Sequence, residues 1–150
     1  MNAPLRIMQT TNMTAKTQIT IHAAPSKVWA ALTKPELVKQ YFMGADMTAD
    51  WKVGGKLRYT GEFQGKPFEE HGVIKQLEPE KVLQATNFSA ASGKPDTPEN
   101  YALVTWELEQ RGADTVLSVS QDHIANDKGV DHAKGMWDVV LNGIKQVVEA

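Results

Sequence analysis

The side chains able to move protons or hold a metal are four histidines and eighteen carboxylates, and there is no cysteine. Without Cys there are no thiol nucleophiles, iron–sulfur clusters, Cys-based zinc sites or disulfides. Glu69-Glu70-His71 sets two acids and an imidazole in a row. Successive side chains on a strand face opposite ways, so either Glu70 or His71 must point inward. Glu70 shares its face with Gly72 and Ile74, which favours Glu70. A buried carboxylate there would need a partner and would have a raised pKa, as a general acid or base does. The ordinary exposure of Glu argues the other way, for a strand-edge charge in water. His22 ends a strand and reads as a rim residue.

Asp122, His123, Asp127, Asp131 and His132 gather around the start of the last helical pattern, with Asp127 and Asp131 four apart on one face. They have the donor types of a carboxylate–imidazole metal site. Their spacing lacks an H-E-x-x-H order, and aspartates capping a helix and favouring its positive end account for it more simply. No metal and no cofactor is therefore expected. There is no G-x-S-x-G elbow, no P-loop and no G-x-G-x-x-G opening a helix, and Gly54-Gly55 reads as a turn with no helix behind it to hold phosphate. No residue is assigned a catalytic role.

Of the aromatics, Trp29 and Trp137 read as core. Tyr41, Tyr59 and Trp106 suit equally the core or the lining of a pocket, where hydroxyl and indole N–H groups would orient a ligand.

The chain that must position these groups has 150 residues, 41% hydrophobic and 23% charged, which is the composition of one globular domain. Sixteen basic and eighteen acidic residues give a net charge of −2, so a broad attraction to nucleic acid or anionic lipid is not expected. No apolar run approaches the roughly 18–20 residues of a membrane span, and the first residues lack a secretory h-region. The expectation is a cytoplasmic protein, monomeric or weakly dimeric, without membrane insertion.

Residues 1–16 are polar and aperiodic apart from Leu5-Arg6-Ile7-Met8 and read as a flexible tail, with Met13 as an alternative start; the domain proper is taken as 17–150. Gln18–His22 alternates as a strand. Pro25 suits a first helical turn, and Val28, Trp29 and Leu32 share the face of a short helix. Thr33-Lys34-Pro35-Glu36 reads as a capping box opening a second short helix, which Gly44 stops. From Ala45 to Asp122 the period is two, with strands over Met47–Val53, Leu57–Phe63, Glu69–Leu77, Val82–Phe88, Tyr101–Glu109 and Thr115–Asp122. Leu57, Tyr59, Gly61 and Phe63 form the dry face of the second of these. Residues 89–100 are the one long loop. Val130, Ala133, Trp137, Leu141, Ile144 and Val148 keep the spacing of one helical face, widened by Met136, Val140 and Val147. Gly135 and Gly143 within this helix permit close backbone approach.

This order predicts an α+β fold: a curved antiparallel sheet of six or seven strands wrapped around the C-terminal helix, with two short helices after the first strand. Such a sheet leaves room for a cavity between helix and strands.

Ala23-Ala24-Pro25-Ser26-Lys27-Val28-Trp29 through Leu37, Tyr41-Phe42, Asp50-Trp51-Lys52-Val53-Gly54-Gly55, Gly72-Val73-Ile74, Leu77-Glu78-Pro79, Pro95 to Tyr101, and Trp137-x-x-x-Leu141-x-x-Ile144-Lys145 together resemble the START-like helix-grip (SRPBCC) superfamily. Within it they are most similar to the group named after the activator of the heat-shock-protein-90 ATPase, over about residues 16–149. The superfamily includes lipid and hormone carriers, polyketide cyclases and aromatase-like enzymes, and the group includes co-chaperones of the stress response. Gln121 stands where relatives often carry His, and Met136 where they often carry Gly.

The resemblance implies binding of a small apolar or amphipathic molecule in a pocket lined by Tyr41, Phe42, Tyr59, Glu70, Trp106, Gln121, Met136 and Val140. A chaperone partner bound through the surface is the alternative. A cyclase or hydrolase using Glu70 or His71 as acid/base is the second alternative.

Overall fold

A computed structural model describes residues 12–150. The first strand, β1 (Met13–Ile21), leads into two short helices, α1 (Pro25–Thr33) and α2 (Pro35–Tyr41). Six strands follow: β2 (Asp46–Ala49), β3 (Lys56–Phe63), β4 (Lys66–Glu78), β5 (Val82–Ser89), β6 (Ala102–Arg111) and β7 (Asp114–Ile124). The chain ends in the long helix α3 (Asp127–Glu149). The strands form one antiparallel seven-stranded sheet in the order β1-β7-β6-β5-β4-β3-β2, so the N-terminal strand closes one edge beside β7. The sheet curves, α3 lies across its inner face, and α1 and α2 close one end. This is the α+β arrangement expected from the alternation of periods.

The main core lies between the inner face of the sheet and the three helices. Val104, Trp106 and Leu108 of β6 are all buried, as their shared parity requires. Leu57, Ile74, Leu83, Ala85, Leu117 and Val119 join them from other strands, with Leu141 and Ile144 from α3 and Val28, Leu32 and Val38 from the short helices. Gly143 sits where α3 meets α2, because a Cβ there would lie 3.0 Å from Tyr41 Cβ; Gly135 has open space beside it.

Several local expectations are corrected. Strand β1 begins at Met13, so the expected tail ends earlier than residue 16; a register shift between Met13 and Ala15 hides the alternation, yet Ala15 is buried beside Ile124 and Ala133. Residues 1–11 of the expected tail, including Leu5–Met8, lie outside the described residues. Thr33 is still inside α1, so its hydroxyl donates back to the Trp29 carbonyl (2.8 Å) and forms no capping box; Lys34 is the N-cap of α2 and Pro35 its first residue. The strand before Gly54 stops at Ala49, and 50–55 make a compact turn in which Gly54 takes φ +87° and Gly55 leaves no space for a Cβ against the Asp50 carbonyl. Phe63 is 49% exposed, because β3 runs on past the helices into the β3–β4 hairpin. The α3 cap is Asn126, whose side-chain oxygen accepts from Gly129 N (2.8 Å); Asp127 lies one residue inside, where its charge favours the helix N-terminus.

Candidate functional site

A partly open cavity lies between the inner face of the sheet and helices α2 and α3, with a volume of about 50 Å³. Val38, Tyr41 and Phe42 line it from α2 and its end, and Trp137 and Val140 from α3. The sheet contributes Leu57 and Tyr59 (β3), Glu70 (β4), Leu83, Ala85 and Asn87 (β5), and Val104 and Trp106 (β6). Alternate residues along each strand meet here because side chains of one parity share a face. Phe42 packs edge-on against Tyr59 (centroids 5.2 Å apart) and Trp106 edge-on against Trp137 (5.5 Å).

Three polar lining groups are already bonded. The Tyr41 hydroxyl donates to the Ala31 carbonyl (2.8 Å), the Trp137 indole N–H donates to Gln121 Oε1 (2.8 Å), and Asn87 Nδ2 donates to Glu70 Oε1 (3.0 Å). Burial raises the Glu70 carboxyl above its ordinary pKa, and the Asn87 bond opposes that only in part. Burial likewise raises both tyrosines, with the Glu70 charge adding to the effect at Tyr59 and the Tyr59 hydroxyl adding to it at Tyr41. Tyr59 and Glu70 are direct partners across β3 and β4. The Tyr59 hydroxyl makes no hydrogen bond to any of the described residues.

Six of the expected lining residues therefore come together: Tyr41, Phe42, Tyr59, Glu70, Trp106 and Val140. Two do not line the cavity. Met136 is 54% exposed, because at 3.6 residues per turn it lies about 90° from the centre of the inward stripe on α3. Gln121 stands behind the wall and holds Trp137. Asn87 also lines the cavity, and its strand parity with Leu83 and Ala85 is the sequence signal for it.

His71 points to the opposite face. Its Nδ1 lies 2.8 Å from Glu69 Oε2, and its Nε2 lies 3.0 Å from Asp96 Oδ2 and 3.1 Å from the Tyr101 hydroxyl. Tyr101 donates to Asp96 Oδ1 (2.6 Å), a bond that pushes its own pKa up to about 12 and lowers that of Asp96. Glu69 is lowered by its bonds from Arg58 and His71. This cluster fastens the 89–101 connection to the outer face of β4. At the other end of the chain, the Asp122 carboxylate accepts from Leu103 N (2.6 Å) and contacts His123 Nδ1 (2.9 Å), so both serve local structure. Among the described residues no three His or acidic side chains are grouped so as to hold a metal ion. His22 lies at the rim, with Nδ1 3.2 Å from Asp114 Oδ1 and its backbone N–H donating to Glu149. No helix among the described residues is long and apolar enough to cross a membrane.

A curved antiparallel sheet gripping a C-terminal helix, with a cavity between them, defines a START-like helix-grip domain. Residues 22–149 match the family described as Activator of Hsp90 ATPase homolog 1-like protein, and the chain belongs to that family. A protein from Cytophaga hutchinsonii, solved in solution, is 35% identical over 95% of this chain and 97% of its own, with a TM-score of 0.81. The Aha1 dimer from Colwellia psychrerythraea (21% identity, 91% and 96% coverage, TM-score 0.70) and a protein from Nitrosomonas europaea (19%, 91% and 94%, 0.74) share the fold. Among proteins with curated descriptions, none matches.

Proposed function

We propose that this protein binds a small apolar or amphipathic molecule in the cavity between α3 and the sheet. The observation that carries this reading is the composition of the lining: among the described residues, an aromatic and aliphatic wall broken by the inward carboxylate of Glu70 and by the Tyr59 hydroxyl, which has no partner among them. Ligand sites have this makeup, with few polar groups fixing orientation inside an apolar surface. At about 50 Å³ the cavity has room for a few waters, whereas an apolar cavity that binds benzene measures about 150 Å³. A guest must therefore displace side chains of α2 or α3, or extend through the mouth. The small size makes binding a coupled opening, in which the cost of moving Phe42, Trp137 or Val140 is subtracted from affinity.

The test is an amide-shift titration with the uncharged dye N-phenyl-1-naphthylamine, alongside native mass spectrometry of protein purified from its host. Saturable shifts at 57–61, 83–87, 104–106 and 137–141 are expected. No shifts there and no co-purified molecule would overturn the reading. That result would favour a surface partnership with a heat-shock chaperone ATPase, which the family description supports. Glu70 also supports a weaker acid/base reading, but the other ionisable lining groups are tyrosines whose hydroxyls burial keeps protonated.

A further inference from the structure

We infer that the guest presents an uncharged hydroxyl, as an alcohol or a phenol, to Tyr59 and Glu70, and that molecules ending in a carboxylate are rejected. The inference rests on the binding reading above and adds the chemical class of the guest.

Most polar groups of the cavity wall are already engaged. Tyr41 and Trp137 spend their donors on Ala31 and Gln121, and Asn87 spends one amide hydrogen on Glu70 Oε1. The Tyr59 hydroxyl, unbonded among the described residues, and the second Glu70 oxygen are left on neighbouring strands. They lie at directly opposed positions, where Cβ atoms are about 4.5–5.5 Å apart. Both residues are half-buried and neither atom is sealed off unpaired, so each reaches water through the open side of the cavity. A guest that displaces that water is favoured when it supplies a replacement partner, because losing the water without one is destabilising. One hydroxyl seated between the two would accept from Tyr59 and donate to Glu70.

The alternatives fit less well. None of the described residues lining the cavity is Lys, Arg or His, so a carboxylate would enter without a counter-ion from them and beside Glu70. An ammonium would complement Glu70 only in its ionised form, which burial works against, and would bring a second charge out of water. A hydroxyl is donor and acceptor at once and satisfies Glu70 in either protonation state. An unsubstituted hydrocarbon would fill the apolar part and leave both polar groups unpaired.

Four probes of one shape separate these cases: 4-butylphenol, 4-butylbenzoate, 4-butylbenzylammonium and butylbenzene, titrated at pH 7.5 by tryptophan fluorescence and amide shifts. The phenol is expected to bind about tenfold tighter than each of the other three. Tyr59→Phe and Glu70→Leu should each bring the phenol down about tenfold, to the affinity of butylbenzene. Tyr59→Phe retains the shape of the ring and keeps the test open should Glu70→Leu fold poorly. Equal affinity for all four probes would overturn the hydroxyl inference while leaving cavity binding in place. Tighter binding of the benzoate or the ammonium would overturn it and redefine the class. Absence of cavity shifts with every probe would overturn both readings.

Discussion

Glu69 and Glu70 are adjacent in β4, face opposite sides of the sheet, and their pKa values move in opposite directions. Glu69 lies outside, paired with Arg58 and His71, and its carboxylate is held below the ordinary value. Glu70 lies inside, opposite Tyr59 and bonded to Asn87, and burial holds it above that value. The same side chain is therefore a paired surface anion on one face and a desolvated carboxyl on the other. What separates them is one residue of strand register. The outer cluster spends all its groups on each other, fixing the 89–101 connection. Among the described residues the inner cluster leaves a hydroxyl and a carboxylate oxygen without partners, and these are the groups the proposed binding would use.

The largest expected effect comes from unroofing the inner face. Trp137, half-buried, packs on Trp106 over the cavity, and Trp137→Ala should destabilise by about 3 kcal/mol or slightly more, the lower end for loss of a Trp, in urea denaturation. A loss well under about 1 kcal/mol would remove Trp137 from the core. Next is Gly72, the residue after the Glu70–His71 pair. A Cβ there would fall 1.7 Å from the Thr86 carbonyl oxygen, so the β4–β5 pairing must part. Gly72→Ala should cost about 3 kcal/mol, at the upper end for overpacking, and disturb both clusters at once. Unchanged stability would mean the two strands are not held this closely.

A smaller effect distinguishes the two glutamates by the sign of its pH dependence. The native state keeps the Glu70 proton to higher pH than the unfolded chain does, so stability falls as pH rises from the ordinary 4.5 through the raised value. Glu70→Gln should remove that fall. Glu69 releases its proton at lower pH in the native state, so its contribution is present above 4.5 and lost as pH drops through the lowered value. Glu69→Gln should remove that acid loss. Denaturation curves from pH 3 to 8 check both, and parallel pH profiles for the two variants would refute the assignment of faces. The smallest expected effect is at His71, which is bonded to Glu69, Asp96 and Tyr101 but partly exposed. His71→Ala should lower global stability by less than about 1 kcal/mol, and faster amide exchange at 94–101 should report a loosened loop. Unchanged exchange there would show that the cluster does not hold the loop.

Much of this architecture was legible in the residue order. The spacing from Val130 to Val148 gave the face of α3, and alternation placed Val104, Trp106 and Leu108 inward. Parity alone set Glu70, beside Gly72 and Ile74, against His71. The errors fell where the deciding contact is not local. Thr33 bonds back into its own helix, Asn126 takes the cap expected of its acidic neighbours, and a register shift disguises the start of β1. Met136 is expected in the pocket as a residue that widens the apolar stripe and replaces a Gly common in relatives, but a helix turns about 100° per residue and carries it into solvent.

The sequence by itself determined the elements, their faces and the family resemblance, because periodicity and turn chemistry are properties of neighbouring residues. Tertiary structure alone decided that Gln121 holds Trp137 from sixteen residues away, that Asn87 meets Glu70 across two strands, and that the cavity measures about 50 Å³. A cavity is the space left when distant side chains finish packing, and its volume depends on the sheet's curvature and the seating of α3 together.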